Sequence, residues 1–109
     1  MKILIINKLQ YLSSGDETAF FNWLNSIKSV ISLGGKGTDL EIEVSDNLNE
    51  NELRELIALY VRYGLQVRDL LQFKTENNSA WFTENPHAYW YKELTNQALE
   101  TIESGTEKH

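Results

Sequence analysis

The chain has 109 residues, no cysteine, 16 acidic against 10 basic residues, and a formal net charge of −6. That length holds one core rather than two. The missing thiols exclude a disulfide framework and any thiolate metal site or nucleophile, and the charge sets most of the surface against a phosphate backbone. No apolar run approaches the roughly 18 residues of a membrane span. The totals therefore suit a cytoplasmic protein without nucleic-acid or membrane partners. A basic protein surface would be steered toward it, although solubility alone accounts for the same charge.

In "MKILIINKLQ" the apolar residues Ile3, Leu4, Ile5 and Ile6 are too few for a secretory signal. They predict a strand over 2–9, buried on both faces. Ser14 and Glu17 stand at capping-box spacing, and Asp16 and Glu17 favour a helix N-terminus. Phe20, Trp23, Leu24, Ile27, Val30 and Ile31 follow at intervals of three and four. They predict a helix over about 16–33, closed by Gly34-Gly35. "TDLEIEV" predicts a strand over 39–45, with Leu40, Ile42 and Val44 on one face and Glu41 and Glu43 on the other.

Asn49 as cap, Glu52 three residues on, and Leu48 placed to staple Leu53 mark the next helix. Leu53, Leu56, Ile57, Tyr60 and Val61 form its stripe, and Gly64 stops it. Residues 66–75 fit a short helix with Val67, Leu70, Leu71 and Lys74 on one side. They also fit a third strand with Val67, Leu71 and Phe73 inward, but no β-branched residue follows Val67, which favours the helix. Asn85-Pro86, a capping residue then proline at the first helical position, opens a last helix running to about Ser104, with a frayed tail at 105–109. On that helix Tyr89, Trp90 and Tyr91 span about 200° and cannot share a face. The cluster is therefore expected to be core, packed partly by Trp81 and Phe82. The expected architecture is α/β: one helix-dominated domain, 1–109, with a small two- or three-stranded sheet. The first strands would form a right-handed parallel βαβ unit if they are neighbours.

Three motifs bear on chemistry. "SLGGKGT" fails as a phosphate loop, because Lys36 is followed by Gly37 and the loop leaves a helix rather than opening one. His87 with Glu84 offers too few ligands for a zinc site, and nothing in the spacing supplies a nucleophile or orienting partner. An exposed first-turn histidine is the plain alternative. From Asp39 to Glu55 seven acids (Asp39, Glu41, Glu43, Asp46, Glu50, Glu52, Glu55) stand against one base, Arg54. They lack the EF-hand pattern and the apolar pocket that a general acid requires. What remains is a solvated acidic face with helix-dipole duties, or a surface for a cationic protein.

Residues 48–94 carry a further signal. "LNENELRELIALYVRYGLQVRDLLQF" followed by "AWFTENPHAYWYKEL" resembles immunity proteins of bacterial contact-dependent inhibition and polymorphic-toxin systems. The distinctive core is Asn85, Pro86, Ala88, Tyr89, Trp90, Tyr91 and Lys92. The resemblance covers about half the chain; the N-terminal half matches only in pattern. It implies a cytoplasmic protein that blocks a basic cognate toxin domain by contact, without catalysis, cofactor or metal. The acids 39–55 would form the contact, with Tyr63 and Tyr89 as anchors of the kind tyrosine makes at binding surfaces. A small regulatory or adaptor module with an unrelated partner shares these features.

Overall fold

The computed structural model describes residues 1–7 and 9–95, without the side chain of Lys36. The later part of the expected last helix and the expected frayed tail, 105–109, lie outside the described residues. The order is β1 (Lys2–Ile6), α1 (Ser14–Ser26), β2 (Val30–Lys36), β3 (Asp39–Val44), α2 (Glu50–Arg62), a 3₁₀ segment (Val67–Phe73) and α3 (Ser79–Phe82). Helical backbone follows over 91–95. The chain is α/β, with one three-stranded antiparallel sheet. Its contacts group it into two compact units, Met1–Leu59 and Tyr60–His109.

In the first unit the strand order is β1-β3-β2, and both pairings are antiparallel. The parallel βαβ expectation is overturned because a strand as well as a helix separates β1 from β3. β2 reverses into β3 through a hairpin, which leaves β3 antiparallel to both neighbours. Lys36 pairs with Asp39, so Gly37 and Thr38 alone form the loop. Gly37 has φ +62°, the sign that primed hairpin turns demand.

α1 ends seven residues earlier than its apolar stripe predicts. Ile27 turns to extended backbone, and its N–H bonds to the Leu24 carbonyl at 3.2 Å. Val30 and Ile31 are β-branched residues that suit a pleated strand, and Gly34-Gly35 lie inside β2 instead of behind a helix. Register steps from Val30↔Val44 to Ser32↔Glu43, which leaves Ile31 as the extra residue of a bulge. The N-cap is Ser13, one residue before the expected Ser14. Its Oγ accepts the Asp16 N–H at 3.1 Å, and the Asp16 carboxylate accepts the Leu12 N–H at 2.8 Å.

β1 buries Leu4 and Ile6 but exposes Ile3 and Ile5 by 45% and 50%, so it is buried on one face and not on two. β3 alternates as expected, with Leu40, Ile42 and Val44 inward. Phe20, Leu24, Ile27, Leu53, Leu56, Ile57 and Leu59 complete the buried apolar set of this unit. The start of α2 follows its sequence signal in both directions. Asn49 Oδ1 accepts the Glu52 N–H at 2.8 Å, and Glu52 Oε1 accepts the Asn49 N–H at 2.9 Å.

The second unit begins within the last turn of α2. Gly64 (φ +68°) ends the helix: its N–H bonds to the Val61 carbonyl, and the Leu65 N–H bonds to the Tyr60 carbonyl. These are the two bonds of a Schellman cap. Residues 67–73 are 3₁₀ helix, the helical of the two alternatives. Val67, Leu70 and Phe73 are buried at intervals of three, the period at which 3₁₀ side chains eclipse. Asn78 ties the next turn, receiving the Thr75 N–H at 2.8 Å and donating to the Phe73 carbonyl at 2.9 Å.

The helix expected from Pro86 starts at 91 instead. The Asn85 side chain accepts the His87 N–H at 3.0 Å, and the Asn85 carbonyl accepts the Ala88 N–H at 3.1 Å. Those local bonds hold 86–90 in turns. Only part of the aromatic cluster is core: Tyr89 is 59% exposed, and because 86–90 are turns the angular spread expected on a helix does not apply. Trp90 is buried, donates Nε1–H to the Phe82 carbonyl at 2.7 Å, and meets Trp81 edge-on at 6.1 Å.

Candidate partner-binding surface

The outer face of the sheet follows from register and the period-2 alternation of side chains. Ile5, Glu41 and Gly34 form one row; Ile3, Glu43 and Ser32 form the next. Central β3 thus carries an acidic line, Asp39, Glu41 and Glu43, each side chain half-buried. Beside Glu41 and Glu43 a half-exposed isoleucine stands on the β1 side and a small residue on the β2 side, whereas Lys36 stands opposite Asp39. Ser32 Oγ donates to Glu43 at 2.7 Å. The Asn7 amide, oriented to satisfy both groups, donates to the two Asp39 oxygens at 3.1 and 3.2 Å. Among the described side chains, which do not include that of Lys36, no lysine or arginine forms an ion pair with these three acids.

The other four acids have internal partners. Asp46 pairs with the Met1 ammonium and lies 3.9 Å from Lys2 Nζ. The ammonium hydrogen bond holds its carboxyl below the usual range. Glu50 meets Arg54 one turn on at 2.9 Å, an exposed pair of small energetic consequence. Glu52 closes the capping box and also accepts the hydroxyl of buried Ser29 at 2.6 Å. The Ser29 bond first, and the Asn49 N–H second, lower its pKa. Glu55 accepts the Trp23 indole N–H at 2.8 Å. Glu52 and Glu55 also border a shallow depression of about 370 Å³ with Lys28 and Asn51.

Tyr63 and Tyr89 belong to the second unit. Tyr63 is half-buried in the turn after α2, and Tyr89 is 59% exposed with its ring edge-on to Trp90 at 4.9 Å. His87 is exposed. Among the described residues no group of three His, Asp or Glu side chains is placed to hold a metal ion, and no helix is long and apolar enough to cross a membrane.

Reading the sequence alone located the β3 acids and missed their surroundings. Ile5, Ser32 and Gly34 join the surface only because β2 exists and β1 has one buried face. A signal for β2 was present in its β-branched Val30-Ile31 and in the short "GKGT" turn. Compared with known proteins, the chain matches no protein-family model, no curated protein and no solved structure.

Proposed function

We propose that this chain is a non-catalytic inhibitor that seats a basic surface of a partner protein on the outer face of its sheet. The observation that carries the reading is the pair Glu41 and Glu43 on the outer face of β3, flanked by half-exposed Ile5 and Ile3 on β1 and by Gly34 and Ser32 on β2, none of which is a cation. Carboxylates on adjacent outward positions of one strand are about 6.7 Å apart. Their mutual repulsion is relieved when a cationic surface closes over them. The apolar flank adds area that gains from leaving water.

The resemblance of residues 48–94 to immunity proteins of polymorphic-toxin systems makes the partner a cognate toxin domain in the bacterial cytoplasm. The test is a growth assay. The C-terminal domain encoded by the adjacent upstream reading frame is expressed with this chain, and arrest by that domain is relieved by the wild-type protein. Glu41→Lys with Glu43→Lys loses the relief and slows association while melting near the wild-type temperature. Undiminished protection by the double reversal removes the sheet face from the reading. A neighbouring product that is harmless alone removes the toxin from it.

A further inference from the structure

We propose that the free edge of β2 receives an extended basic segment of the partner as a fourth strand of the sheet. This rests on the reading of the outer sheet face as the contact surface, and it adds a backbone-mediated mode of contact. β2 ends the strand order, so one side pairs with β3 and the other presents backbone N–H and C=O groups that no strand among the described residues pairs. Over residues 32–35 the described backbone makes no hydrogen bond outside the sheet. Ser32, Gly34 and Gly35 are exposed, and a Cβ built on either glycine meets nothing within 4 Å. The bulge at Ile31 breaks the edge at one end, leaving a short regular window after it.

Charge selects the occupant. An added strand would lie about 10 Å from β3, two strand spacings away. An outward lysine or arginine and the Glu41 side chain together span that gap. Gly34 stands between them, directly opposite Glu41, and places no side chain in the path. Ser32 plays the same small part opposite Glu43. A second copy of this chain on the same edge would bring a second acidic line to the first, which like-charge repulsion disfavours. Ile31, 56% exposed beside the window, offers apolar contact to one side chain of an alternating segment.

The test uses the full chain, isotope-labelled for NMR, and two synthetic peptides of alternating lysine and valine. One has an ordinary backbone; the other has every backbone nitrogen methylated, which keeps the charge and removes the donors. The ordinary peptide is expected to slow exchange of outward amides within 32–35 by at least about tenfold, as formation of a strand pairing does. Binding is expected to fall about tenfold with the methylated peptide, which forfeits several hydrogen bonds, and to weaken in Glu41→Gln with Glu43→Gln. Equal binding of both peptides overturns the added strand and leaves the charged-face reading standing. Protection centred elsewhere also overturns it. So does protection of 32–35 that grows with protein concentration and needs no peptide. Absence of binding by either peptide overturns both readings.

Discussion

On β3, Asp39, Glu41 and Glu43 sit on a sheet face with only a serine and an asparagine amide as hydrogen-bond partners among the described residues. Seven to sixteen positions later, on α2, Glu50, Glu52 and Glu55 each hold a partner that the fold needs or that lies one turn away. In the sequence the two groups are equally dense in acid. Their difference arises from backbone geometry. A helix N-terminus offers unpaired N–H groups that a carboxylate can satisfy, whereas a central strand has spent its N–H groups on its neighbours. Glu52 is absorbed into structure in this way through the Asn49 N–H, while Glu50 and Glu55 find side-chain partners in Arg54 and Trp23; Glu41 on the strand has neither kind of partner among the described side chains.

The contrast breaks most readily at Glu52. Glu52→Ala removes half of the capping box and leaves the buried Ser29 hydroxyl without its acceptor, so a loss of about 2 kcal/mol is expected in urea unfolding. A loss below about 0.5 kcal/mol, the level of an ordinary surface substitution, would put Glu52 in the same class as the β3 acids.

The same residue fixes the sign of a pH effect. Hydrogen bonds hold the Glu52 pKa in the folded chain below its ordinary value of 4.5. Its contribution is complete above 4.5 and is lost as pH falls through the folded value. Asp46 shifts the same way through the Met1 ammonium, but in full solvent. Asp69 runs opposite: partial burial raises its pKa, so its stabilising effect is present below 3.8 and disappears as pH rises through the folded value. Unfolding followed from pH 6 downward should show a stability loss that Glu52→Gln flattens and Asp69→Asn steepens. An unchanged slope in Glu52→Gln would remove the linkage.

Glu55 is the next step down. Its bond to the Trp23 indole is exposed, so Glu55→Ala should cost about 1 kcal/mol and shift the tryptophan emission. Stability equal to wild type would mean that water replaces the carboxylate at no cost.

Legibility in the sequence followed how local each determinant is. The start of α2 was readable because Asn49 and Glu52 interact across three residues, and its end because Gly64 must take positive φ. β3 was readable because polar and apolar residues alternate. The exposed face of β1 is not legible because Ile3-Leu4-Ile5-Ile6 has no alternation to reveal it. β2 was hidden because Ile27, Val30 and Ile31 match a helical period, and only pairing with β3 decides against it. The start of the last helix is not legible because Asn85-Pro86 suits both a helix start and a turn, and the Asn85 side chain serves the turn. For the acidic surface, the residue types were legible. The separation of structural from available acid was not, since Ser29 and Trp23 are long-range partners.

The smallest expected effect is the most diagnostic. Glu41 has no hydrogen-bond or ion-pair partner among the described residues and stands between Asp39 and Glu43 on one strand face, with Ile5 and Gly34 opposite. Glu41→Gln keeps its size and removes one of three neighbouring like charges. No native contact is lost, so the chain should become more stable by a few tenths of a kcal/mol, within the roughly 0.5 kcal/mol range of surface substitutions. The gain should shrink as salt screens charges about 7 Å apart, a separation below the Debye length at 0.1 M. Stability that rises while association with a cationic partner slows is the signature of a group retained for binding. A loss of stability in Glu41→Gln would instead place an undetected partner on that carboxylate and return the β3 acids to the structural class that Glu52 occupies.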